Sequence, residues 1–377
     1  MINPLAALSD HEALALAYKY LSSGQPAETV NICTALLRKN ASHVDALCML
    51  SIAHFGLGQE SEGKKYLRKA TALAPALADC GYMDALLRQQ EKFSPAQSAL
   101  VRYREYKKLQ ATDAFIISYP KCGRTWLRLL LGKFLQLHFG FEENARMLEL
   151  HALSSKLPGL TSVDITHDDY PHWKPASEIE RSKRRYKGKK VVFLARDPRD
   201  VLVSYYFQYV RRGDKIEAND WGFNGTVSDF IRHRIGGVDN ISTFYNVWAD
   251  QRHVPAAFFL LRYEDLHAEP AATLRKLLEF LDFPKVDDAV LERVIAYGSF
   301  DNMKRIEREN SLKSNRLASP NVIDPESFKV RKGKVAGYGE YLTAEDIEFL
   351  DRKLAVLDDL FANYKRPAKG PPGERQQ

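Results

Sequence analysis

Cysteine is scarce in this sequence. Four occur among 377 residues, at Cys33, Cys48, Cys80 and Cys122, with no CxxC pair and no Cys/His cluster. That spacing argues against a structural zinc site, and so few thiols suit a reducing compartment. Long apolar runs are missing as well. None reaches the 18 residues that a spanning helix needs, so no membrane span is expected. The opening residues, MINPLAALSDHEALALAYKYL, carry charge early and lack a basic start, which excludes a secretory signal. The expected location is the cytoplasm. Nor does one sign of charge dominate. Net charge is +7; residues 1–113 hold 13 Lys/Arg and 11 Asp/Glu, and the remainder 42 and 37. An excess this mild fits an anionic small molecule and does not require nucleic acid.

What is present starts with a repeat. At 377 residues and 45% hydrophobic content, the chain can hold two cored domains. Glu12–Asp45 overlays Ala46–Asp79 at an offset of 34: Leu16 falls on Leu50, Gly24 on Gly58, Gln25 on Gln59 and Asp45 on Asp79. Each copy reads as a helix, a turn at the glycine and a second helix. Leu47, Leu50 and His54, then Tyr66, Leu67, Ala70 and Leu73, give the apolar stripes, and Pro75 stops the second copy. A third, degraded pair is expected from about Cys80 to Leu109. The period and pattern resemble tetratricopeptide repeats. The resemblance implies a docking surface for a partner protein or for a second copy of the chain; a helical cap over the second domain is the plainer alternative. Domain limits are expected at 1–110 for this helical region and 111–365 for the second domain. The Pro- and Gly-rich tail, 366–377, reads as disordered.

The second domain is organised around FIISYPKCGRTWLRLLL, Phe115–Leu131. Phe115–Ile117 reads as a short buried strand, Ser118–Arg124 as a tight loop, and the apolar residues from Thr125 onward as a helix. Strand, loop and helix start together aim backbone N–H groups and a positive dipole end at an anion. Lys121 and Arg124 add cationic charge. Further on, Gly140–Pro175 has no sustained periodicity and contains Thr166-His167-Asp168-Asp169. The basic run Arg181–Lys190 reads as a solvated loop before a strand, with a patch for an acidic acceptor as the alternative. Lys190–Leu194 is a second strand, running into Arg196-Asp197-Pro198-Arg199-Asp200 and a helix from Val201. Ala257–Leu261 is a third, ending in Arg262-Tyr263-Glu264-Asp265. Strands alternating with helices predict an α/β fold, a three-layer parallel sheet flanked by helices, preceded by the all-α region. Its ligands belong at the carboxyl ends of the strands.

The loop is not an ordinary nucleotide P-loop. GxxxxGK[ST] is absent, which disfavours a nucleotide kinase, and so is GxGxxG. Instead, Tyr119-Pro120-Lys121-Cys122-Gly123-Arg124-Thr125-Trp126 resembles the 5′-phosphosulfate loop, YPKSGTTW, of sulfotransferases that use 3′-phosphoadenosine 5′-phosphosulfate (PAPS). Arg196 with Ser204 is similar to that family's 3′-phosphate site. Tyr263 resembles its adenine-side tyrosine, Ser299-Phe300 with Met303 its adenine-flanking segment, and Arg331-Lys332-Gly333 its late 3′-phosphate loop. The resemblance spans roughly Ala114–Tyr364 and implies a P-loop-like sulfotransferase fold. It also implies sulfuryl transfer from PAPS to a hydroxyl or amine acceptor, without a metal.

It further implies roles. Lys121 would stand at the leaving oxygen, His167 would be the general base, and Ser204 would grip the 3′-phosphate and restrain Lys121. Lys121, Cys122, Gly123, Arg124 and Thr125 would cradle the phosphate, and Trp126 would wall the adenine or belong to the core. Cys122 stands where Ser is usual and Arg124 where Thr is usual. Cys122 reads either as a packed small residue or as a redox-sensitive thiol. Around His167 the family's KTHLP becomes Ile165-Thr166-His167-Asp168-Asp169, which leaves the acceptor open among sugar, phenol, lipid alcohol and peptide tyrosine. Asp168 and Asp169 orient His167, bind an acceptor hydroxyl or are solvated. Tyr206, Phe207, Tyr209, Trp221 and Phe223 line an acceptor pocket or belong to the core. An adaptor with an inactive nucleotide-binding domain is the competing function, which a PAPS turnover assay separates.

Overall fold

A computed structural model describes residues 8–80, 94–157, 159–212, 223–319 and 321–365. The tail from Arg366, part of the expected third helical pair and Trp221 lie outside the described residues. The chain divides into two compact units, Met1–Ala111 and Thr112–Gln377.

The first unit is helical: α1 Asp10–Ser22, α2 Pro26–Lys39, α3 Val44–Gly56, α4 Glu60–Leu73 and α5 Pro95–Ala111. A capping box starts α1, with Ser9 Oγ accepting from the Glu12 N–H and the Glu12 carboxylate accepting from the Ser9 N–H; this satisfies two otherwise orphaned donors. α3 and α4 each begin 34 residues after α1 and α2. The two turns also match, with Gly24 and Gly58 in the left-handed region at φ 74° and 73°, where a side chain would be strained. α3 is buried from Ala46 through Ala53 and forms the centre of the unit's core, with Ile32, Cys33, Leu36, Ala70 and Tyr103 packed in the same cluster. One tie recurs with its polarity exchanged. Thr29 Oγ1 donates to the Ala17 carbonyl at 3.0 Å in the first pair, and Ser51 Oγ to the Gly63 carbonyl at 2.8 Å in the second. Positions 17 and 51 correspond at the 34-residue offset, as do 29 and 63.

The second unit is built on a parallel four-stranded sheet in the order β2-β1-β3-β4. The strands are β1 Ala114–Ile117, β2 Val163–Thr166, β3 Lys190–Ala195 and β4 Ala257–Arg262. β1 is buried throughout and β3 from its second residue, so both read as continuous apolar runs, as strands covered on both faces do. β2 is the strand that the sequence concealed. Four residues, VDIT, with an acid in the middle, give neither an apolar run nor an alternating one.

Helices cover the sheet: α6 Arg124–Phe139, α7 Pro198–Arg212, α8 Val238–Asp250, α9 Pro270–Phe280, α10 Asp288–Tyr297, α11 Phe300–Glu309 and α12 Ala344–Leu354. α7 starts at Pro198, whose missing N–H costs nothing in the first turn. In this strand order the direction of winding reverses between β1 and β3. A crevice for a ligand opens at such a reversal, outside the carboxyl ends of the strands. Among the described residues no helix is long and apolar enough to cross a membrane.

Candidate active site

The loop after β1 leads into α6, which begins at Arg124, one residue before the expected Thr125. Two residues of the loop take left-handed backbone, Lys121 at φ 71° and Gly123 at φ 98°. Glycine is required at 123 for a second reason: a Cβ there would lie 2.6 Å from the Tyr263 ring. The helix N-terminus and its unpaired N–H groups therefore open beside an aromatic face. Lys121 Nζ donates to Gln208 Oε1 at 2.6 Å. Gln208 lies one turn along α7 from Ser204, which is half-buried on the same face. Cys122 is fully buried, and burial pushes its thiol up to about 12. Its reading as a redox-sensitive thiol therefore fails: the thiolate is suppressed despite the helix end, and the residue is packed beside Tyr245 (Sγ to Oη 3.5 Å).

Arg196, at the end of β3, joins segments that are far apart in sequence. Its Nη1 donates to the Lys121 carbonyl at 3.2 Å and its Nη2 to the Lys334 carbonyl at 3.0 Å. Its guanidinium carbon lies 4.2 Å from the Tyr263 ring centroid. Nε is buried without a partner among the described residues. Tyr245 of α8 fixes the backbone, its hydroxyl accepting from the Arg196 N–H and donating to the Arg196 carbonyl, both at 2.9 Å. Asp200, in the first turn of α7, accepts from the Ala336 and Tyr338 N–H groups at 2.9 Å each. It thereby docks the late loop against Arg196. Neither Tyr245 nor Asp200 figured in the sequence reading of the site. Asp200 had a signal, an acid one turn past Arg196, whereas Tyr245 sits in an ordinary apolar helix pattern.

The late loop is placed by its backbone more than by its cations. Gly333, at φ 62°, lies against the Phe300 ring, where a Cβ would come within 2.6 Å. Its carbonyl accepts from His267 Nε2 at 2.9 Å. The Arg331 side chain instead pairs with Glu326 at 3.0 Å and lies 4.5 Å from the Phe207 ring. Lys332 pairs with Glu340, and so does Lys334. Ser299 caps α11 by accepting from the Asn302 N–H, and Phe300 is exposed at the helix start. Met303 is buried with Leu129, Met147 and Ile306, and Trp126 packs on that cluster. Trp126 also donates from Nε1 to the Gly298 carbonyl at 2.8 Å and stands 5.6 Å from Tyr263. It is thus partly core and partly in contact with the Tyr263 ring.

On the β2 side, His167 follows the strand directly. Its Nδ1 lies 2.8 Å from the Ser118 carbonyl. A carbonyl only accepts, so Nδ1 carries the proton and Nε2 keeps the lone pair. Burial, then the Arg124 charge and then His172, hold this imidazole well below its usual value, so it is neutral at neutral pH. The two neighbouring acids are neither solvated nor hydrogen-bonded to His167. Asp168 is buried and ion-paired with Lys183 at 2.8 Å and with Arg185, and it accepts from Tyr186 Oη at 2.7 Å. Asp169 pairs with Lys174 and accepts from the Glu180 N–H. These contacts also correct the reading of the basic run. Lys183 is fully buried, because with Arg185 it supplies the counter-charge that the buried Asp168 carboxylate needs. The aromatic stretch is largely packed around Phe230, which Tyr206, Tyr209 and Phe223 each approach edge-on or tilted.

Known proteins are similar in sequence to the second unit. Residues 111–357 match the sulfotransferase domain family. Cytosolic sulfotransferase 10 of Arabidopsis thaliana is 28% identical over 268 residues, which cover 64% of this chain and 77% of that protein. Flavonol 3-sulfotransferase of Flaveria bidentis is 26% identical over 265 residues, covering 65% and 81%. Among solved structures, mouse sulfotransferase SULT7A1 complexed with PAP aligns over 67% of this chain and 87% of its own, at 19% identity and a TM-score of 0.44.

Proposed function

This chain belongs to the sulfotransferase family, and from that premise we propose that it moves a sulfuryl group from PAPS to an acceptor hydroxyl, with His167 as the general base. The observation that carries the reading is the Arg196 junction. One guanidinium ties the β1 loop, the late loop and Tyr263 together, at the point between β1 and β3 where the sheet leaves a ligand crevice. The residues fit the donor. Gly123 and Gly333 keep two backbones close to aromatic faces, and Arg196 Nε is a buried donor with no partner among the described residues.

The donor, when bound, supplies the sulfuryl group and leaves as adenosine 3′,5′-bisphosphate. Lys121, Cys122, Gly123 and Thr125 present cationic charge and backbone N–H groups at the start of α6. Lys121 stabilises negative charge on the leaving oxygen, which is where a fixed cation helps most. Arg196, with Ser204 and the Arg331-Lys332-Gly333 loop, holds the 3′-phosphate; Arg331 and Lys332 exchange their Glu326 and Glu340 partners to do so. Tyr263, Trp126, Phe300 and the Ser299–Met303 segment flank the adenine. His167 Nε2 takes the acceptor proton, the Ser118 carbonyl holding the opposite nitrogen protonated.

The 34-residue stagger of the helices in the first unit supports a tetratricopeptide-like docking role for a protein partner or a second copy. The cytosolic name of the Arabidopsis relative and four free, buried thiols support a cytoplasmic location. The test is transfer of labelled sulfate from PAPS to a panel of sugars, phenols and lipid alcohols. Transfer by the natural protein, and its loss by about 100-fold or more in Lys121→Ala, are expected for a group acting on transition-state charge. An undiminished rate in Lys121→Ala would remove the leaving-group role.

A further inference from the structure

Among the described residues, the Arg124 side chain makes no hydrogen bond and no ion pair, although the residue is half-buried at the first position of α6. Helix geometry fixes the direction in which it faces. Residues advance by about 100° per position. Trp126 therefore lies about 200° round α6 from Arg124, and Arg128 only about 40° from it. Trp126 faces the donor elements, Tyr263, His267 and the Gly298 carbonyl. Arg128 faces β2, with Nη2 donating to the Ile165 carbonyl at 3.2 Å and Nη1 to the Leu148 carbonyl at 2.9 Å. Arg124 thus stands one turn above Arg128, over the carboxyl end of β2 and on the opposite side of the helix from the adenine wall.

That end of β2 also holds buried polar atoms with no partner among the described residues: Ser118 Oγ, Tyr119 Oη and His172 Nδ1. Ser118 and Tyr119 are fully buried and His172 is 5% exposed. The three residues adjoin His167, through the Ser118 carbonyl, a 5.1 Å ring contact from His172 and a 6.1 Å contact between His172 and Tyr119. Buried polar groups without partners are uncommon and mark places where a ligand or water completes the network. Asp168 and Asp169 are committed to Lys183, Arg185 and Lys174, and Asp164, whose charge does act on Arg124, makes no ion pair with it.

We infer that Arg124, expected from the sequence in the phosphate cradle, instead binds an anionic group of the acceptor, a carboxylate, phosphate or sulfate ester, beside the hydroxyl that His167 deprotonates. The inference rests on the sulfotransferase reading and names the acceptor class within it. A guanidinium suits the task, since it meets a carboxylate or phosphate with two parallel hydrogen bonds. Burial lowers Arg124 to about 9, which still leaves it charged at neutral pH. Its charge is also the next cause after burial of the lowered values at His167 and His172, in keeping with a position above both rings.

The experiment pairs acceptors that differ in one anionic group: 4-hydroxyphenylacetate with its methyl ester, glucuronate with glucose, and glucose 6-phosphate with glucose. Each pair is offered with PAPS to the natural protein, Arg124→Gln and Arg124→Lys, and adenosine 3′,5′-bisphosphate affinity is measured by calorimetry in all three. The natural protein should favour the anionic member of at least one pair by about tenfold or more in kcat/KM, as expected for one charged hydrogen-bonded pair. The carboxylate and phosphate pairs tell which anion is preferred. In Arg124→Gln the preference should collapse through a rise in KM for the anionic member, Arg124→Lys should restore part of it, and bisphosphate affinity should change less than about threefold. Use of neutral members alone, or of no member, overturns the inference. A bisphosphate affinity that falls in Arg124→Gln as far as in Arg196→Ala assigns Arg124 to the donor and overturns it too. If the natural protein binds no bisphosphate, the sulfotransferase reading itself fails, which separates the two failures.

Discussion

The two sides of the site are built differently. On the side of β3 and β4, segments from across the sequence are already joined to one another. Arg196 meets Lys121, Lys334 and Tyr263, Asp200 holds the late loop, and Trp126 reaches Gly298. On the side of β2 the strong contacts lie below the surface of the site, in the Asp168 and Asp169 ion pairs. Above them stand His167, Arg124 and three buried polar atoms, on Ser118, Tyr119 and His172, without a partner among the described residues, whereas at the Arg196 junction only Arg196 Nε is so placed. A preformed half suits a ligand that never changes, because pre-organisation lowers the cost of binding. On the proposed reading, the half with more open valences is the one that sets acceptor specificity.

This contrast can be broken from either side. The largest effect is expected at His167. His167→Ala should lower kcat/KM with a working acceptor by about 10²–10⁴-fold, the usual contribution of a positioned base, while leaving bisphosphate affinity nearly unchanged. An equal loss of donor affinity would show that the two sides are not separable. Next is Asp168→Asn. It leaves the buried Lys183 and the partly buried Arg185 without their counter-charge and should cost about 3–5 kcal/mol in denaturant unfolding. A loss below about 1 kcal/mol would mean that solvent reaches the cluster.

The smallest effect is a dependence of stability on pH. His167 and His172 both have lowered folded values, against about 6.5 in the unfolded chain. Below that pH the unfolded state binds protons that the folded state refuses. Stability is therefore lost as pH falls from about 6.5, by up to about 1.4 kcal/mol per pH unit for each ring. The carboxylates act in a separate window. Asp168 is lowered in the folded state, so the stability it adds is present above its unfolded value of about 3.9 and is lost only as pH falls below that. Replacing His172 with Phe should roughly halve the slope between pH 6 and 5; an unchanged slope would show that His172 is protonated in the fold.

How much of this the sequence could reveal follows the same division. Lys121, Arg196 and Tyr263 each follow a strand within a recognisable motif, and the structure brings the Arg196 guanidinium to the Lys121 carbonyl and the Tyr263 ring. Arg331 and Lys332 were legible as residues but not as conformations, since their pairing with Glu326 and Glu340 depends on acids from neighbouring turns. On the β2 side the strand itself was hidden by its short length and by Asp164. The basic run looked solvated because its charges are dense, and nothing local shows that Lys183 folds inward to meet Asp168. Buried ion pairs between segments 15 residues apart leave no periodic trace. In the first unit, the offset of 34 residues announced the helix starts, but not that Thr29 and Ser51 exchange donor and acceptor across it.

On the proposed reading, Arg196 assembles a site for the 3′-phosphoadenosine end of the donor. Calorimetry with adenosine 3′,5′-bisphosphate on the natural protein and on Arg196→Ala tests it most directly. The natural protein should bind, with affinity roughly 10- to 100-fold weaker in the variant, the cost of losing charge-assisted hydrogen bonds. Equal affinity in the two proteins, or no binding by either, would contradict it.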